Sequence, residues 1–533
     1  MFTELPVEIA LSVLAYLPIS SIHSLQLVSK HCDGLVKLNE STIYRSAAVV
    51  HEFTPVKRAS ATEHLGRSEI TNGPEIDWKA FCQRLFQLDR NWRGIGTSSL
   101  VCYPSAGIKP ACIRVDEEEG FLINVTDVRG ENRGLIVVDK ENEVLWEQSW
   151  DFTQTYIIEY QYGYLVFNTP GWREVWRLAS IPDPVPPADA GARTFPYPPT
   201  SQLETSQRCF EAHKDAYPKG HFVPHAALPY GSEERAFRLT FPTLLAKHNE
   251  EEAHLYDIPS RRLIRKISLC SHILVNPSGE TTSLPPMGNV WTIDHSQKHV
   301  FLTSAETGVV RVLDKERGDC VLNMGNSDNA ARTFRCEENE ADTTDAEKGV
   351  SRLNVVEVGI NEFVSQTFID LSNSKKLRVS TCGNHFVTLR SRWTSLFETS
   401  SQLVVVRNFT DIPAGDREEL SRHAIEIDLE APQATFAFDG RRRVLICTRD
   451  GVWILDISKF LEYAGDVEAY SVPAFRDGSR VHTAELTESG VYFDWDAQAV
   501  EQDRWDEKMK ERVLDIAISS DIVCGVNFAV REP

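Results

Sequence analysis

The sequence lacks the features of membrane and secreted proteins. It has no apolar run near the roughly 18 residues that a membrane-spanning helix needs. Its first residues, Met-Phe-Thr-Glu-Leu-Pro-Val-Glu, have neither the basic region nor the long apolar stretch of a secretory signal. The 11 cysteines are scattered, odd in number and without a C-x-x-C pair, a pattern typical of reduced thiols. We therefore expect no membrane contact and a cytoplasmic or nuclear location, or both.

The sequence also lacks the common catalytic and metal-binding motifs. There is no G-x-S-x-G, no H-E-x-x-H and no Walker loop. His221 and His225 are four residues apart, but Pro224 prevents a normal helix through them. His295 and His299 flank a polar turn. Neither pair has cysteine or carboxylate neighbours at metal-ligand spacing, so we predict surface histidines. The sequence predicts no catalytic residue, no metal and no cofactor, and hence a protein that is not itself an enzyme.

Positive charge is scarce. Lys and Arg number 56 against 77 Asp and Glu, a net charge of -21, which disfavours nucleic acid and anionic membranes as partners. The length of 533 residues exceeds what one hydrophobic core supports and predicts more than one domain. The apolar and charged fractions, 42% and 25%, are ordinary for a globular protein.

The first 18 residues contain the pattern of a short helix. Pro6 suits the first helical turn, where its missing N–H has no partner in any case. Glu8 lies near the positive end of the helix dipole, and Pro18 ends the helix at the preceding residue. One face of the 3.6-residue repeat is apolar and consists of Ile9, Val13, Leu14 and Leu17.

Two further short helices are predicted before residue 45. Ser20 or Ser21 can cap a helix whose apolar positions are Ile22, Leu25 and Val28, and Ser29 can cap a third that carries Leu35. Three short helices bury too little apolar surface to be very stable alone, so we expect them to pack on a partner. From this pattern alone, the partner could be the domain that follows, with the helices forming a structural cap, or another protein.

The order and spacing of these residues resemble an F-box. The resemblance is carried by Leu5-Pro6-Val7-Glu8-Ile9, Leu17-Pro18 and Val28-Ser29-Lys30. Two positions depart from the usual F-box pattern: Cys32 stands where a Trp is common, and Ile43-Tyr44-Arg45 replaces a Leu-Trp-Arg-like triplet.

The resemblance implies the substrate-recognition subunit of an SCF-type E3 ubiquitin ligase. Its F-box would bind a Skp-type adaptor, which would join it to cullin and RING subunits, while the rest of the chain would bind an unknown protein substrate. The residues implied in adaptor binding are Leu5, Pro6, Ile9, Leu14, Leu17, Pro18, Leu25, Val28 and Tyr44. Part of this apolar face should be exposed in the free chain.

A second resemblance lies in residues 78–94. Phe81, Leu85 and Leu88 have helical spacing, and Asn91-Trp92-Arg93-Gly94 reads as the turn that ends the helix. F-box proteins with a β-propeller have a similar rigid link between the two modules. The polar stretch from about 50 to 77 is interpreted as an insertion.

From about residue 100 the pattern changes from helical to β. A recurring unit has an apolar strand that often ends in Asp, a polar turn and another short strand. Examples include Leu135–Asp139, His254–Asp257, Val309–Asp314, Phe368–Asp370 and Val452–Asp456, with Val175–Leu178 and Leu403–Val406 as variants. The spacing favours four-stranded blades of a WD-repeat-like β-propeller, with seven blades preferred to eight. The alternatives are a β-sandwich or two stacked β-domains. The final apolar strand, Gly525–Val530, is expected to close the ring.

The predicted fold class is therefore α+β and multidomain. Residues 1–49 form a three-helix F-box, 50–98 an insertion and linker helix, and 99–533 an all-β propeller. We interpret the proline-rich stretch 181–200 as an exposed loop leading to irregular chain up to about 231, the acidic stretch 326–349 as a loop, and 503–512 as a helix.

No substrate-binding residue can be assigned from the sequence. Arginine suits phosphate recognition, and clusters occur at Arg441–Arg443, Arg449, Arg390 and Arg392, but solvated arginines at a propeller rim are the commoner case. Two other function classes stay open: a scaffold that binds the adaptor without a ligase role, and a propeller enzyme that holds a metal with inner-strand carboxylates.

Overall fold

The structure is a computed structural model of the 533-residue chain. It describes residues 5–50, 77–93, 99–104, 109–128, 132–139, 141, 143–150, 158–169, 171–183, 198–229, 236–270, 272–275, 281–304, 307–325, 332–337, 351–358, 377–393, 399–413, 415–429, 431, 434–448, 451–471, 484–487, 490–495 and 522–527. The chain divides into a helical unit within residues 1–98 and a β unit, 99–527. No helix in the described ranges is long and apolar enough to cross a membrane.

The helical unit begins with four short helices where three were predicted. They are α1 (Val7–Leu14), α2 (Ile19–Gln26), α3 (Lys30–Leu38) and α4 (Glu40–Val50). Pro6 and Pro18 precede the first two, so α2 starts without the predicted serine cap. The Ser29 hydroxyl accepts a hydrogen bond from the Cys32 amide and caps α3 as expected. The fourth helix carries Tyr44, which is buried.

The predicted linker helix is present as α5 (Trp78–Trp92). The Asp77 carboxylate caps it by accepting hydrogen bonds from the Lys79 and Ala80 amides. The helix packs on α4: the Cys82 thiol donates to the Tyr44 carbonyl at 3.2 Å, and Lys79 pairs with Glu40 at 2.6 Å. The buried residues of α5 are Cys82, Leu85, Leu88, Asn91 and Trp92, so the expected apolar spacing faces the core of the helical unit.

The β unit consists of four-stranded antiparallel sheets in which consecutive strands run up and down, in the manner of propeller blades. Three such sheets are β2 (Lys109–Asp116) to β5 (Val144–Trp150), β6 (Ile158–Gln161) to β9 (Phe222–Pro229), and β10 (Phe237–Thr240) to β13 (Arg262–Ser268). The strands between these limits are β3 (Phe121–Val128), β4 (Asn132–Asp139), β7 (Tyr164–Thr169), β8 (Trp172–Leu178), β11 (Thr243–Lys247) and β12 (Glu252–Asp257).

Two larger sheets contain the same unit. One joins the hairpin β14 (His272–Val275) and β15 (Thr281–Leu284) to β16 (Val290–His295), β17 (His299–Ser304), β18 (Val310–Asp314) and β19 (Cys320–Met324). The other contains β22 (Leu377–Val379), β23 (Phe386–Trp393), β24 (Thr399–Val406) and β25 (Ala424–Asp428), then β26 (Ala434–Phe438), β27 (Arg443–Thr448), β28 (Gly451–Asp456) and β29 (Glu468–Ser471). The hairpin β20 (Arg332–Glu337) and β21 (Ser351–Val358) connects these two sets.

The last sheet joins the two ends of the β unit. Strand β1 (Ser99–Pro104) pairs with β32 (Ile522–Asn527), which pairs with β31 (Gly490–Trp495) and then β30 (Ala484–Leu486). The first strands of successive sheets also lie side by side: β2 with β6, β6 with β10, β10 with β16, β16 with β22, β26 with β30 and β30 with β2. The closing strand is therefore Ile522–Asn527 rather than Gly525–Val530, whose last three residues lie outside the described ranges.

The recurring Asp of the sequence pattern closes the turn after a sheet's third strand. The carboxylate of Asp139 accepts amide hydrogen bonds from Glu141 and Glu143, and that of Asp314 accepts them from Glu316 and Arg317. An Asp side chain that binds amides ahead of it favours a tight turn. The strand markers around residues 135, 175, 254, 309, 403 and 452 all fall on third strands, whereas Phe368–Asp370 lies outside the described residues.

Two predicted irregular segments contain regular structure. The stretch after the prolines forms helix α6 (Thr200–Ala212) and strand β9, because apolar residues resume there and β9 completes its sheet. Within the predicted acidic loop 326–349, residues 332–337 form strand β20. The rest of that loop, residues 184–197 of the predicted loop 181–200 and the predicted helix 503–512 lie outside the described residues.

Candidate functional sites

The first candidate site is an apolar surface on α1 to α3. Exposed large apolar side chains are frequent there: Ile9 is 51% exposed, Val28 72% and Tyr16 80%. Leu5, Val7, Val13, Leu27 and Leu38 are exposed as well. Soluble monomers seldom leave so many large apolar side chains in water on one small module unless a partner covers them.

The structure divides the predicted adaptor-binding residues into two groups. Leu5, Ile9 and Val28 are exposed together with Pro6 and Pro18, while Leu17 and Leu25 are half-buried. Leu14 and Tyr44, by contrast, are only 0% and 2% exposed. Because their side chains form the core of the helical unit, we assign Leu14 and Tyr44 a packing role. Val7, Val13, Tyr16, Leu27 and Leu38 were not predicted, although Val7 and Val13 share the α1 pattern.

A groove lies on α2 beside this surface. It has a volume of about 360 Å³ and is lined by Leu17, Ser20, Ser21, Ser24, Leu25 and Val28. The Ser24 hydroxyl donates to the backbone carbonyl of Ser20 at 2.9 Å. The groove therefore offers a partner half-buried leucines and an exposed valine beside the serines.

The second candidate site is a ring of charged residues on the first strands of the sheets. Their charges alternate in sign from one sheet to the next. The residues are Arg114 on β2, Glu159 on β6, Arg238 on β10, Asp294 on β16, Arg378 on β22 and Glu485 on β30. Each lies between residues that are mostly apolar. In β26 the corresponding residue is Ala437, between Phe436 and Phe438. Strand β26 therefore contributes no charge between Arg378 and Glu485.

Ion pairs connect most of this ring. Arg114 contacts Glu485 at 3.0 Å and Glu159 at 3.9 Å, and Arg238 contacts Glu159 at 2.8 Å and Asp294 at 3.5 Å. Asp294 also accepts hydrogen bonds from the amides of His295 and Val379. The carboxylates on the inner strands are thus neutralised by arginine.

The pKa values follow from this pairing and from burial. Burial disfavours ionisation of Glu159, but Arg238 and Arg114 outweigh it and lower its pKa. Burial raises the pKa of Asp294 and of Glu485. Burial, and then the like charge of Arg238, lower the pKa of Arg378 to about 10. The ring therefore contains several buried charged groups, and the cost of burying each one is offset by its charged neighbours.

A metal site requires a different arrangement. In the part of the chain that the structure describes, no group of three or more His, Cys, Asp and Glu side chains is placed to hold a metal ion. The inner-strand carboxylates Glu159, Asp294 and Glu485 are each paired with an arginine. The sequence does contain a signal for the ring. Six of the strands that open a four-stranded unit carry a charged residue among apolar ones, and the sign of that charge alternates along the chain.

The prediction of surface histidines was wrong. His221, His225, His295 and His299 are all buried, because each lies on a strand or next to one and packs between sheets. The Nε2 atom of His225 hydrogen-bonds the Ile258 carbonyl at 2.9 Å, and the Lys315 ammonium lies 3.3 Å from the Nδ1 atom of His295. Burial lowers the pKa of His225 to about 4 and that of His295 to about 3.

These histidines predict a loss of stability in mild acid. Their folded-state pKa values lie below the ordinary value of 6.5, so the unfolded chain binds more protons as the pH falls. The stabilisation is complete above about pH 6.5 and is lost as the pH falls to about 4 for His225 and to about 3 for His295, at roughly 3–5 kcal/mol for each histidine. We expect the urea midpoint to fall across this range and to fall less in His295→Gln. An equal fall in that variant would contradict the assignment.

The arginines of these clusters that the structure describes lie in two different environments. Arg390 is buried on β23 and faces Glu426 at 3.9 Å, so it is not a rim arginine. The amides of Arg441, Arg442 and Arg443 donate to the Asp439 carboxylate in the turn between β26 and β27. Arg449 lies outside the described residues, as does the side chain of Arg392.

Comparisons with known proteins found similarity to solved structures. No protein-family model matches the sequence, and no curated protein matches it. Solved structures that resemble it include the WD40 domain of Toxoplasma gondii coronin, with 10% identity, a TM-score of 0.40 and coverage of 82% of this chain and 87% of that one. BamB from Moraxella catarrhalis has 9% identity, a TM-score of 0.35 and coverage of 78% and 85%. At such low scores, the description of a propeller-like fold rests on the strand pairing of this chain.

Proposed function

We propose that the chain is the substrate-recognition subunit of an SCF-type E3 ubiquitin ligase. The observation that carries the proposal is the exposed apolar surface of Leu5, Ile9 and Val28, on short helices whose sequence resembles an F-box. A Skp-type adaptor would cover this surface and connect the chain to cullin and RING subunits. The buried Leu14 and Tyr44 would hold the helices in the shape that the adaptor binds.

The β unit would bind the protein substrate. We interpret its sheets as seven blades, with β1 and β30–β32 forming the last one. The paired inner-strand charges would make the centre of the unit rigid. The chain itself would carry out no covalent chemistry and need no cofactor. Its mechanism would be proximity, since holding a substrate beside the ubiquitin-loaded enzyme makes transfer effectively intramolecular. The proposed location is the cytoplasm, the nucleus or both.

Co-expression tests this proposal. The full chain is expressed with a Skp-type adaptor, cullin and RING subunit, beside a Leu5→Ala/Pro6→Ala variant with the same β unit. We expect the adaptor and cullin to co-elute with the parent chain and to be reduced at least tenfold with the variant. A folded parent chain that binds no adaptor would overturn the proposal. Adaptor binding without ubiquitin on any captured partner would favour the scaffold alternative.

A further inference from the structure

A cluster of cationic and hydroxyl groups lies between the sheet β6–β9 and the sheet β10–β13. It contains Tyr164 on β7, Arg177 on β8, His225 on β9 and Arg261 in the turn between β12 and β13. Tyr164 and His225 are fully buried, and Arg177 is 8% exposed. The Arg261 backbone has a φ of 55°, in the left-handed region that an arginine rarely adopts. Unusual backbone of this kind persists where the surroundings require it.

The cluster surrounds a carboxylate of the chain itself. One oxygen of Asp183 lies 2.6 Å from Nη2 of Arg261, 3.8 Å from Nδ1 of His225 and 4.0 Å from Nη2 of Arg177. The segment leading to Asp183 is fixed in place, because the Leu178 amide donates to the Gly163 carbonyl at 2.8 Å and the Ala179 amide to the His221 carbonyl. Ile181 packs over Gly163 so closely that a side chain there would clash. Asp183 itself is 55% exposed, and therefore lies at the outer side of the cluster.

Asp183 satisfies only part of this site. The Tyr164 hydroxyl, Nε of Arg177 and Nε of Arg261 are buried and have no hydrogen-bond partner in the part of the chain that the structure describes. A buried donor without a partner destabilises the folded chain, so a ligand that accepts from it would remove that cost. The single carboxylate oxygen does not compensate the buried positive charge in full. Burial lowers the pKa of Arg177, and Asp183 beside it offsets this effect only in part.

His225 supports Arg261 and is not itself an anion ligand. Its Nδ1 atom lies 3.3 Å from Nη2 of Arg261 and its Nε2 atom 2.9 Å from the Ile258 carbonyl. A guanidinium can only donate and a carbonyl can only accept, so the neutral ring carries its hydrogen on Nε2 and accepts on Nδ1. This arrangement directs the guanidinium of Arg261 toward Asp183.

We propose that Arg177, Arg261 and Tyr164 form a binding site for a phosphate monoester, which the chain's own Asp183 occupies in part. A phosphate group carries nearly two negative charges and three terminal oxygens, whereas Asp183 presents one oxygen to the cluster. Two guanidinium groups suit such an anion through paired N–H donors, and the Tyr164 hydroxyl supplies a further donor. Asp183 would act as an internal competitor that a stronger anion displaces from its exposed side. The proposal does not rest on the ligase function.

Anion titration of the full chain tests the site. Binding of inorganic phosphate and of free O-phosphoserine is measured by calorimetry, with acetate as a carboxylate comparison. Asp183→Ala should bind both phosphates at least tenfold more tightly than the parent chain, because the competitor is gone, and should bind acetate more weakly than phosphate. Asp183→Asn should show the same gain in phosphate binding. Because asparagine keeps the shape of the side chain, this variant controls for a local structural change in Asp183→Ala. Binding of O-phosphoserine but not of inorganic phosphate would still support the site and would show that the organic group contributes.

Two matched variants test whether phosphate binds at this cluster. In the Asp183→Ala background, Arg261→Ala should reduce phosphate binding at least tenfold, while Arg262→Ala, which removes the exposed neighbouring arginine, should leave it unchanged. Tyr164→Phe should weaken binding without unfolding the chain, since it removes only a hydroxyl. Binding of neither inorganic phosphate nor O-phosphoserine by Asp183→Ala, or equal losses in Arg261→Ala and Arg262→Ala, would overturn the proposal.

Discussion

Val28→Asp and Ile9→Asp are each expected to weaken binding of a Skp-type adaptor at least a hundredfold. Both side chains are exposed in the free chain, so an aspartate costs little there before binding. In the complex, the same carboxylate would be buried against apolar surface without a partner. Burying an unpaired charge costs several kcal/mol, and each 1.4 kcal/mol corresponds to a tenfold change in affinity. The measurement is calorimetric titration of each purified variant with the adaptor.

The matched control is Leu203→Asp on helix α6 of the β unit. Leu203 is 52% exposed, so this substitution places the same charge on a comparable exposed leucine outside the helical unit. We expect the control to bind the adaptor as the parent chain does. Equal losses in the control and in the two N-terminal variants would show a general effect of added charge. Full binding by Val28→Asp and Ile9→Asp would place the adaptor elsewhere.

Arg238→Met is expected to destabilise the β unit by about 3–5 kcal/mol, the usual cost of removing one partner from a buried ion pair. Arg238 pairs with Glu159 and Asp294, which are almost fully buried. Without the guanidinium, Glu159 keeps the longer contact with Arg114, Asp294 keeps its amide donors, and the charge of Arg378 acts on both. The measurement is the urea midpoint of unfolding near neutral pH. The slope of unfolding free energy against urea concentration should be the same in the variant and the parent chain.

The control for this prediction is a compensated variant. Arg238→Met combined with Glu159→Gln and Asp294→Asn removes the charges together and keeps the shapes of the side chains. We expect it to recover at least half of the lost stability, because no unpaired carboxylate remains. A midpoint for Arg238→Met close to that of the parent chain would mean that the inner-strand charges are solvated, contrary to the account of the ring.

The elements that local chemistry dictates could be predicted from the sequence. Pro6 and Ser29 mark where two helices begin, Pro18 marks where the first one ends, and the Asp at the end of a third strand marks the turn that follows. These signals act over two to four residues, so they survive in any tertiary context. The fourth helix and helix α6 were missed because their stability comes from packing rather than from local signals.

The candidate sites were less predictable, because they depend on which side of an element faces the core. Helical spacing grouped Ile9 with Leu14, but only the structure shows that Leu14 is buried while Ile9 faces solvent. The charged ring joins residues more than 370 positions apart, as Arg114 and Glu485 show. A single sequence does not reveal such pairing until the order of the strands around the centre is known.

The proposed ligase-receptor function depends most on whether the exposed surface of α1 to α3 binds a Skp-type adaptor. Hydrogen exchange of the full chain, measured with and without purified adaptor, tests this directly. We predict slower exchange in residues 5–28 on addition of adaptor and unchanged exchange in the strands of the β unit. Protection confined to the β unit, or no protection at saturating adaptor, would contradict the ligase-receptor function. The N-terminal helices would then be interpreted as a structural cap.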